Sequence, residues 1–467
     1  MTLITSISGI RGIIGGKPGQ GLTPLDVVKY TAAYGSWIQQ GSKPNSKCTV
    51  VIGRDARLSG PMVQQLVTGT LVGLGIDVID VGLSTTPTVE MAVTHHHANG
   101  GIILTASHNP IQWNALKLLN SQGEFLSAAD GEQVLSIANS SDFEFAQVEQ
   151  LGKTIFDPLA IERHIELIVS NSLVDVSAIK SRKFKVVLDA VNSSGGVAIP
   201  ILLKALGVEH IVELYCDPTG HFPHNPEPLP EHLTALSESV VSNKADLGIV
   251  VDPDVDRLAL VCEDGSMFGE EYTLVAVADH VLKYRKGDTV SNMSSTRALR
   301  DVTEAAGCRH HASAVGEVNV VAMMKSVSAP IGGEGNGGVI YPELHYGRDA
   351  LAGIALFLTH LAKSELSCKK LRESYPDYFI SKNKIELTPD LDVDMVLASI
   401  KDKYAGQPIN DLDGVKIEFG NEWVHLRKSN TEPIIRIYSE SRSESSANEL
   451  AKRIMNDIQI LSLSKSH

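Results

Sequence analysis

The sequence predicts an α/β protein: three related α/β domains with mixed sheets, followed by a C-terminal α+β domain. Three observations carry this expectation. A short β-rich apolar run, a loop of small residues and a helical stretch closed by glycine recur three times. The runs are apolar on both faces and alternate with helices, the pattern of parallel strands covered on each side. Residues 373–467 break that pattern, with strands of alternating polarity and a long amphipathic stretch.

The first copy opens at Cys48–Asp55 (CTVVIGRD), passes through a helix from Pro61, and closes at Gly75 before IDVIDVG. The second runs from Phe184–Asp189 through the loop NSSGG and a helix over Pro200–Leu206 to Gly207 and VEHIVELY. A weaker third is Thr289–Ser295, a helix over Arg297–Ala306, and Gly307. Proline near a helix start and glycine just past its end follow the capping asymmetry of helices. In the tail, VKIEFGNEWVHLRKS and EPIIRIYSES read as two strands joined by a polar turn, and Ser445–Leu461 as an amphipathic helix. The expected boundaries fall within Phe156–Pro158, near Cys262–Gly269 and within Ser367–Asp377, which divides the chain into 1–157, 158–263, 264–372 and 373–467.

The length of 467 residues allows three or four such units. Lys and Arg total 41 against 55 Asp and Glu, a formal net charge of -14. Such a surface repels nucleic acid and anionic membrane, so an anionic substrate has to be met by a few local cations. No apolar run reaches the roughly 18–20 residues of a membrane span; the best is Leu351–Leu358. The N-terminus carries Arg11 in its apolar stretch and lacks a basic leader, unlike a signal peptide. The five cysteines are scattered and never form a C-x-x-C pair. They fit small buried residues in a reducing cytosol, which makes the expected location cytoplasmic and excludes a disulfide scaffold or a cysteine zinc site.

Four loops have chemical character. Thr105-Ala106-Ser107-His108-Asn109-Pro110 follows the strand-like GGIIL. A hydroxyl at the carboxyl edge of a sheet is placed to act as nucleophile or phosphate carrier, although an ordinary turn stopped by proline has the same composition. No G-x-S-x-G elbow surrounds Ser107. Asp252-Pro253-Asp254-Val255-Asp256-Arg257 sets three carboxylates at i, i+2 and i+4, an oxygen-only set suited to Mg²⁺. A solvated acidic turn is the plainer reading. An EF-hand is excluded because Arg257 stands where that loop needs glycine. Gly332–Gly338 offers Glu334 and Asn336 to sugar hydroxyls, or is simply a flexible turn. Arg427-Lys428-Ser429-Asn430-Thr431-Glu432-Pro433 with Arg436 forms a compact anion cradle, or a charged turn in solvent. Lesser candidates are Arg11, Gly53-Arg54-Asp55, Lys117, His108 beside Ser107, and His95–His97, the last better read as a solvated helix end than as a metal site.

In this order, from Ser8-Gly9-Ile10-Arg11-Gly12 to Arg436, the loops resemble the α-D-phosphohexomutase superfamily of phosphoglucomutases, phosphomannomutases and phosphoglucosamine mutases. The TASHNP, DPDVDR and SNTEP segments carry that resemblance. It implies four domains around a central cleft: a phosphoserine domain, a metal-binding domain, a sugar-recognition domain and a C-terminal phosphate-binding domain. It implies interconversion of hexose 6-phosphate and hexose 1-phosphate through a phosphoserine and a 1,6-bisphosphate, a trace of which acts as activator. By motif, Ser107 resembles the phosphorylated residue, and Asp252, Asp254 and Asp256 the Mg²⁺ ligands together with Ser107. Arg257, Lys117 and Arg11 resemble the groups that stabilise charge or move a proton, and His108 stays a catalytic candidate by its place beside Ser107 alone. Glu334 and Asn336 resemble the sugar readers, and Arg427, Ser429, Asn430, Thr431 and Arg436 the loop that holds the idle phosphate.

Three features depart from the common pattern. The sugar loop usually reads Glu-x-Ser-Gly-His; here Asn336 and Gly338 replace the Ser and the His. Asn430 stands where glycine is common, and Val315-Gly316-Glu317 replaces a histidine-bearing segment. These features resemble the phosphoglucosamine mutase branch, so glucosamine phosphate is the lead substrate, with a phosphoglucomutase/phosphomannomutase as the alternative. Two other classes compete. An aspartyl-nucleophile phosphatase would use Asp252 and Asp254 but leaves TASHNP and the cradle without a purpose. A non-catalytic sugar-phosphate sensor would not need Ser107 and three aspartates. The expected partner is a small sugar phosphate, with no nucleic acid and no membrane.

Overall fold

The structure is a computed structural model and describes residues 2–6, 9–43, 46–386, 393–428 and 434–463. Its strands form four sheets in chain order. The first has the spatial order Ile4–Ser6, Gly9–Ile13, Trp113–Leu119, Gly100–Leu104, Thr49–Arg54, Asp77–Leu83, Thr154–Phe156. The second runs Leu258–Cys262, Leu247–Val251, Lys185–Asp189, His210–Leu214, and the third His310–Ser313, Thr289–Asn292, Ile331–Glu334, Gly338–Ile340. The fourth is antiparallel: Phe379–Glu386, Ile434–Ser441, Glu422–Lys428, Val415–Phe419, Ile409–Asn410.

The first three sheets share one device. A central strand, parallel to its neighbour, returns as an antiparallel strand, and the loop between the two carries a motif. Gly100–Leu104 returns as Trp113–Leu119 after TASHNP. Leu247–Val251 returns as Leu258–Cys262 after the three aspartates. Ile331–Glu334 returns as Gly338–Ile340 across Glu334-Gly335-Asn336-Gly337-Gly338. The antiparallel return makes the sheets mixed and aims three chemically distinct loops from equivalent places, at the carboxyl ends of parallel strands where open sheets bind ligands.

Cores follow the same plan with one merger. Unit one and the C-terminal unit each bury their own apolar clusters, whereas one continuous core joins Phe184, Leu188 and Ile199 of unit two to Leu274, Val277 and Phe357 of unit three. The run Leu351–Leu358 lies inside this merged core, on the helix Ala350–Ser364, which is buried on nearly every side. No helix among the described residues is long and apolar enough to cross a membrane.

Two elements depart from the sequence reading. The helix expected over Pro200–Leu206 spans Gly195–Ala205 with Pro200 at its middle, where the ring supplies no N–H to the carbonyl one turn earlier. The stretch expected as one strand over VKIEFGNEWVHLRKS is a hairpin of Val415–Phe419 and Glu422–Lys428. Gly420, at φ +66°, supplies the left-handed turn. The polar turn after it, including Ser429, Asn430 and Thr431, lies outside the described residues, as does Ser8.

Candidate active site

Ser107 sits just past the strand Gly100–Leu104, buried, with a left-handed backbone at φ +47°. A non-glycine residue holds such a conformation only when its surroundings fix it. Thr105 Oγ1 accepts the Ser107 N–H at 2.9 Å. Arg57, wholly buried, spreads its guanidinium over the loop: Nη2 donates to the carbonyls of Ser107 and Asn109, Nη1 to those of Pro110 and Trp113. Asp55 anchors the other end of Arg57 through Nε at 3.0 Å and also accepts from Thr105 Oγ1 at 2.7 Å. The turn is thereby tied to its own sheet.

Ser107 Oγ donates to Asp252 Oδ2 at 2.6 Å, which joins the first loop to the second. Asp252, Asp254 and Asp256 are buried, with one carboxylate oxygen of each within 4.8 Å of the others. Protein groups occupy both oxygens of Asp252 and one oxygen each of Asp254 and Asp256. Asp252 Oδ1 accepts from the backbone of Asp256 and Arg257. Asp254 Oδ2 accepts from Thr86 Oγ1 at 2.6 Å and from Lys117 Nζ at 2.7 Å. Asp256 Oδ2 accepts from Arg348 Nη2 at 2.7 Å. Asp254 Oδ1 and Asp256 Oδ1 are buried and have no hydrogen-bond partner among the described residues. Burial and the charges of Asp256 and Asp254 push Asp252 well above the ordinary carboxylate range. A hard divalent cation meets all of these demands at once, so the residues fit Mg²⁺.

Lys117 rises from the return strand Trp113–Leu119 and bridges Asp254 and Asp256. Burial opposes its charge, but the two aspartates outweigh that and hold it above the usual lysine range. His108 Nδ1 lies 3.4 Å from Ser107 Oγ, and burial, followed by Arg257, lowers its pKa to about 2. Arg257 is steadied by Glu227 at 3.1 Å. The triplet His95–His97 stays apart from the site, with His96 on Asp157 at 2.7 Å. Arg54 lies on Gln64 and the Asp55 carbonyl.

In the third loop Glu334 ends its strand buried, its Oε1 accepting from Asn292 Nδ2 at 2.8 Å. Asn336, half-buried, closes on its own loop, its Oδ1 accepting the Gly338 N–H at 3.3 Å. In the fourth sheet the register sets Lys384, Arg436 and Arg427 on one rung across three strands, and directly opposed residues share a face. Like charges so aligned repel. Asp413 takes Arg427 Nε at 3.1 Å, and Arg436 is left exposed. Arg11 of unit one comes near enough that burial and the Arg436 charge both lower its pKa. The Arg11 and Arg436 charges thus lie close enough to repel.

Arg57, Arg348, Asp413 and Lys384 were not marked by the motifs. Arg57 had a signal, because it follows Gly53-Arg54-Asp55 by two positions. Lys384 had none, since an alternating exposed strand carries lysine for solubility alone.

An α/β chain that holds a serine hydroxyl on a buried triad of aspartates has the parts of a phosphoryl-transfer site. Comparison with known proteins gives the family. The phosphoglucomutase/phosphomannomutase α/β/α domains I, II and III match residues 3–145, 162–265 and 269–378, and the C-terminal domain of that family matches 386–457. A phosphoglucomutase/phosphomannomutase of Thermococcus kodakarensis is 35% identical over 94% of this chain and 95% of its own. A probable phosphoglucosamine mutase of Methanopyrus kandleri is 31% identical over 95% of each. A Burkholderia thailandensis phosphoglucomutase/phosphomannomutase family protein superposes with a TM-score of 0.84 at 25% identity, covering 98% of this chain and 97% of that one. The chain belongs to the phosphoglucomutase/phosphomannomutase family of α-D-phosphohexomutases.

Proposed function

We propose that the protein is a phosphohexomutase that interconverts hexose 6-phosphate and hexose 1-phosphate through phosphorylated Ser107 and a 1,6-bisphosphate, with glucosamine phosphate as lead substrate. The observation that carries the reading is the contact of Ser107 Oγ with Asp252 inside the aspartate triad. A phosphatase built on Asp252 would have no use for a serine held there. The 35% identity to a phosphoglucomutase/phosphomannomutase keeps glucose and mannose phosphates as the second reading.

Asp252, Asp254, Asp256 and Ser107 would hold Mg²⁺, which when bound neutralises the phosphoryl oxygens. Arg427 and Arg436, with Ser429, Asn430 and Thr431, grip the phosphate that is not transferred, and Glu334 and Asn336 orient the sugar. The bond from phosphorus to Ser107 Oγ breaks as the sugar hydroxyl oxygen bonds to phosphorus. The hydroxyl proton ends on the departing Ser107 Oγ, while Lys117, Arg257 and Arg11 balance the charge that spreads over the phosphoryl group. The bisphosphate then turns over and returns its other phosphate to Ser107. The units supplying these loops divide near residues 157, 263 and 372.

The test measures turnover of glucosamine, glucose, mannose and N-acetylglucosamine phosphates at one Mg²⁺ concentration, with a trace of the matching bisphosphate. Glucosamine phosphate should turn over fastest. A strong glucose preference replaces the lead substrate, and no turnover of any sugar phosphate removes the mutase reading.

A further inference from the structure

Arg348 joins two loops that the sequence holds far apart. Its neighbour Asp349 caps the helix Ala350–Ser364, with Oδ1 accepting the N–H groups of Leu351 and Ala352 at 2.8 and 3.1 Å. That cap fixes the chain just before the helix. Glu317 then clamps Arg348 twice, through its backbone N–H at 2.8 Å and Nε at 3.0 Å. The two remaining nitrogens point to different units: Nη2 to Asp256 Oδ2 at 2.7 Å and Nη1 to Glu334 Oε2 at 3.0 Å. The side chain is 10% exposed, so these bonds have little competition from water.

Space for this side chain depends on Gly338. A Cβ at that position would stand 2.3 Å from Arg348 Cδ. The guanidinium is a rigid plane, so the orientation that satisfies Asp256 also sets where it can meet Glu334. Asp256, one of the clustered aspartates, keeps Oδ1 buried and without a hydrogen-bond partner among the described residues. Glu334 is held at its other oxygen by Asn292 and the Gly316 N–H. One fork therefore aligns a carboxylate of the candidate cation site with a carboxylate of the candidate sugar site.

We propose that Arg348 is a positioning residue that couples sugar binding to cation binding, through the single guanidinium orientation that serves both Asp256 and Glu334. This rests on the function proposed above. A ligand at either carboxylate fixes the fork, and the second ligand then meets a site already organised. The coupling is reciprocal: each ligand tightens the other by the same factor.

The test is binding rather than turnover. Calorimetry on the dephosphorylated chain measures Mn²⁺ and glucosamine 6-phosphate, each alone and each in the presence of the other. The wild type should show equal mutual tightening, roughly 5- to 150-fold. Arg348→Met keeps the stem and removes the fork; both ligands should still bind, with the factor reduced to about one. Gly338→Ala displaces the side chain without deleting its charge and should lose the coupling too, which keeps the test open if Arg348→Met fails to fold. Absence of coupling in the wild type overturns the inference, as does undiminished coupling in folded Arg348→Met. Failure of the wild type to bind any hexose phosphate is a different result: it overturns the proposed function, and this inference with it.

Discussion

Ser107 Oγ and Asp252 Oδ2 lie 2.6 Å apart although 145 residues separate them in the chain. The contact spans two units, so the hydroxyl is presented to the triad only when both are folded and docked. Docking is secured beside it, where Thr86 of unit one donates its N–H and its hydroxyl to Asp254, and the Ala56 N–H of unit one donates to Ser193 Oγ at 3.3 Å. On the proposed function, Ser107→Ala should abolish turnover and phosphate incorporation while leaving sugar-phosphate binding intact. Intact-protein mass spectrometry reads the first effect and calorimetry the second; a turning-over, phosphorylated variant would sink the assignment.

Lys117 stays charged between Asp254 and Asp256, so on the proposed function it would stabilise developing charge rather than accept a proton. Lys117→Met should lower kcat by about 10²–10³-fold, the usual cost of removing one such stabilising group. KM for the sugar phosphate should move little. Steady-state kinetics that showed the loss mainly in KM would place Lys117 in ground-state binding instead.

Arg57 ties four backbone carbonyls and Asp55 together in a buried setting. A lysine cannot fan out to the same acceptors, and breaking a buried pair leaves its partner uncompensated. Arg57→Ala should cost about 3–5 kcal/mol in urea unfolding. Arg57→Lys should lose part of that and lower the fraction of phosphorylated Ser107, because the strained turn is no longer held. Unchanged stability would mean that water replaces the guanidinium without cost.

Much of this arrangement was legible in the residues. The alternation of apolar runs and glycine-closed helices marked three α/β units, because period and capping are local properties. Ser107, the three aspartates and Glu334 were legible for the same reason: each follows an apolar strand and shares its loop with small or polar residues. What the sequence did not show is pairing. Arg348 looks like any charged residue before a helix until the fold carries it to Asp256 and Glu334. The Lys384–Arg436–Arg427 rung exists only through strand register, and the strand Phe379–Glu386 went unread because its exposed, polar alternation lacks an apolar face. The merged core of units two and three is likewise a matter of which helices pack together, which no local pattern encodes.

That rung predicts graded effects on substrate affinity. Arg436→Ala removes a charge-assisted partner of the phosphate, worth about 1.5–3 kcal/mol, and should raise KM roughly 10- to 100-fold with kcat less affected. Lys384, half in solvent at 61% exposure, should matter less and more at low salt than at high. Kinetics at two ionic strengths separate the two. An unchanged affinity in Arg436→Ala would remove it from the cradle.

His345 joins the first and third units through charge, and this makes stability depend on pH. Its Nδ1 lies 3.1 Å from Glu90 of unit one, and its Nε2 3.3 Å from Asp349 Oδ2, which also accepts from His164 Nε2 at 3.0 Å. Thr88 holds the other nitrogen of His164 at 3.0 Å, so the groups facing His345 are two carboxylates and one already partnered imidazole. Burial works against the imidazolium, but Asp349 and Glu90 outweigh it and raise His345 from 6.5 to about 10. The folded state therefore binds a proton that the unfolded chain releases above pH 6.5. Stability from this group is full below that pH and is lost as pH rises toward about 10. The slope is at most about 1.4 kcal/mol per pH unit. Urea midpoints across this window should fall with pH in the wild type and fall less steeply in His345→Asn, which keeps hydrogen bonding but cannot take the proton. Equal slopes in the two proteins would show that the imidazolium does not hold the junction.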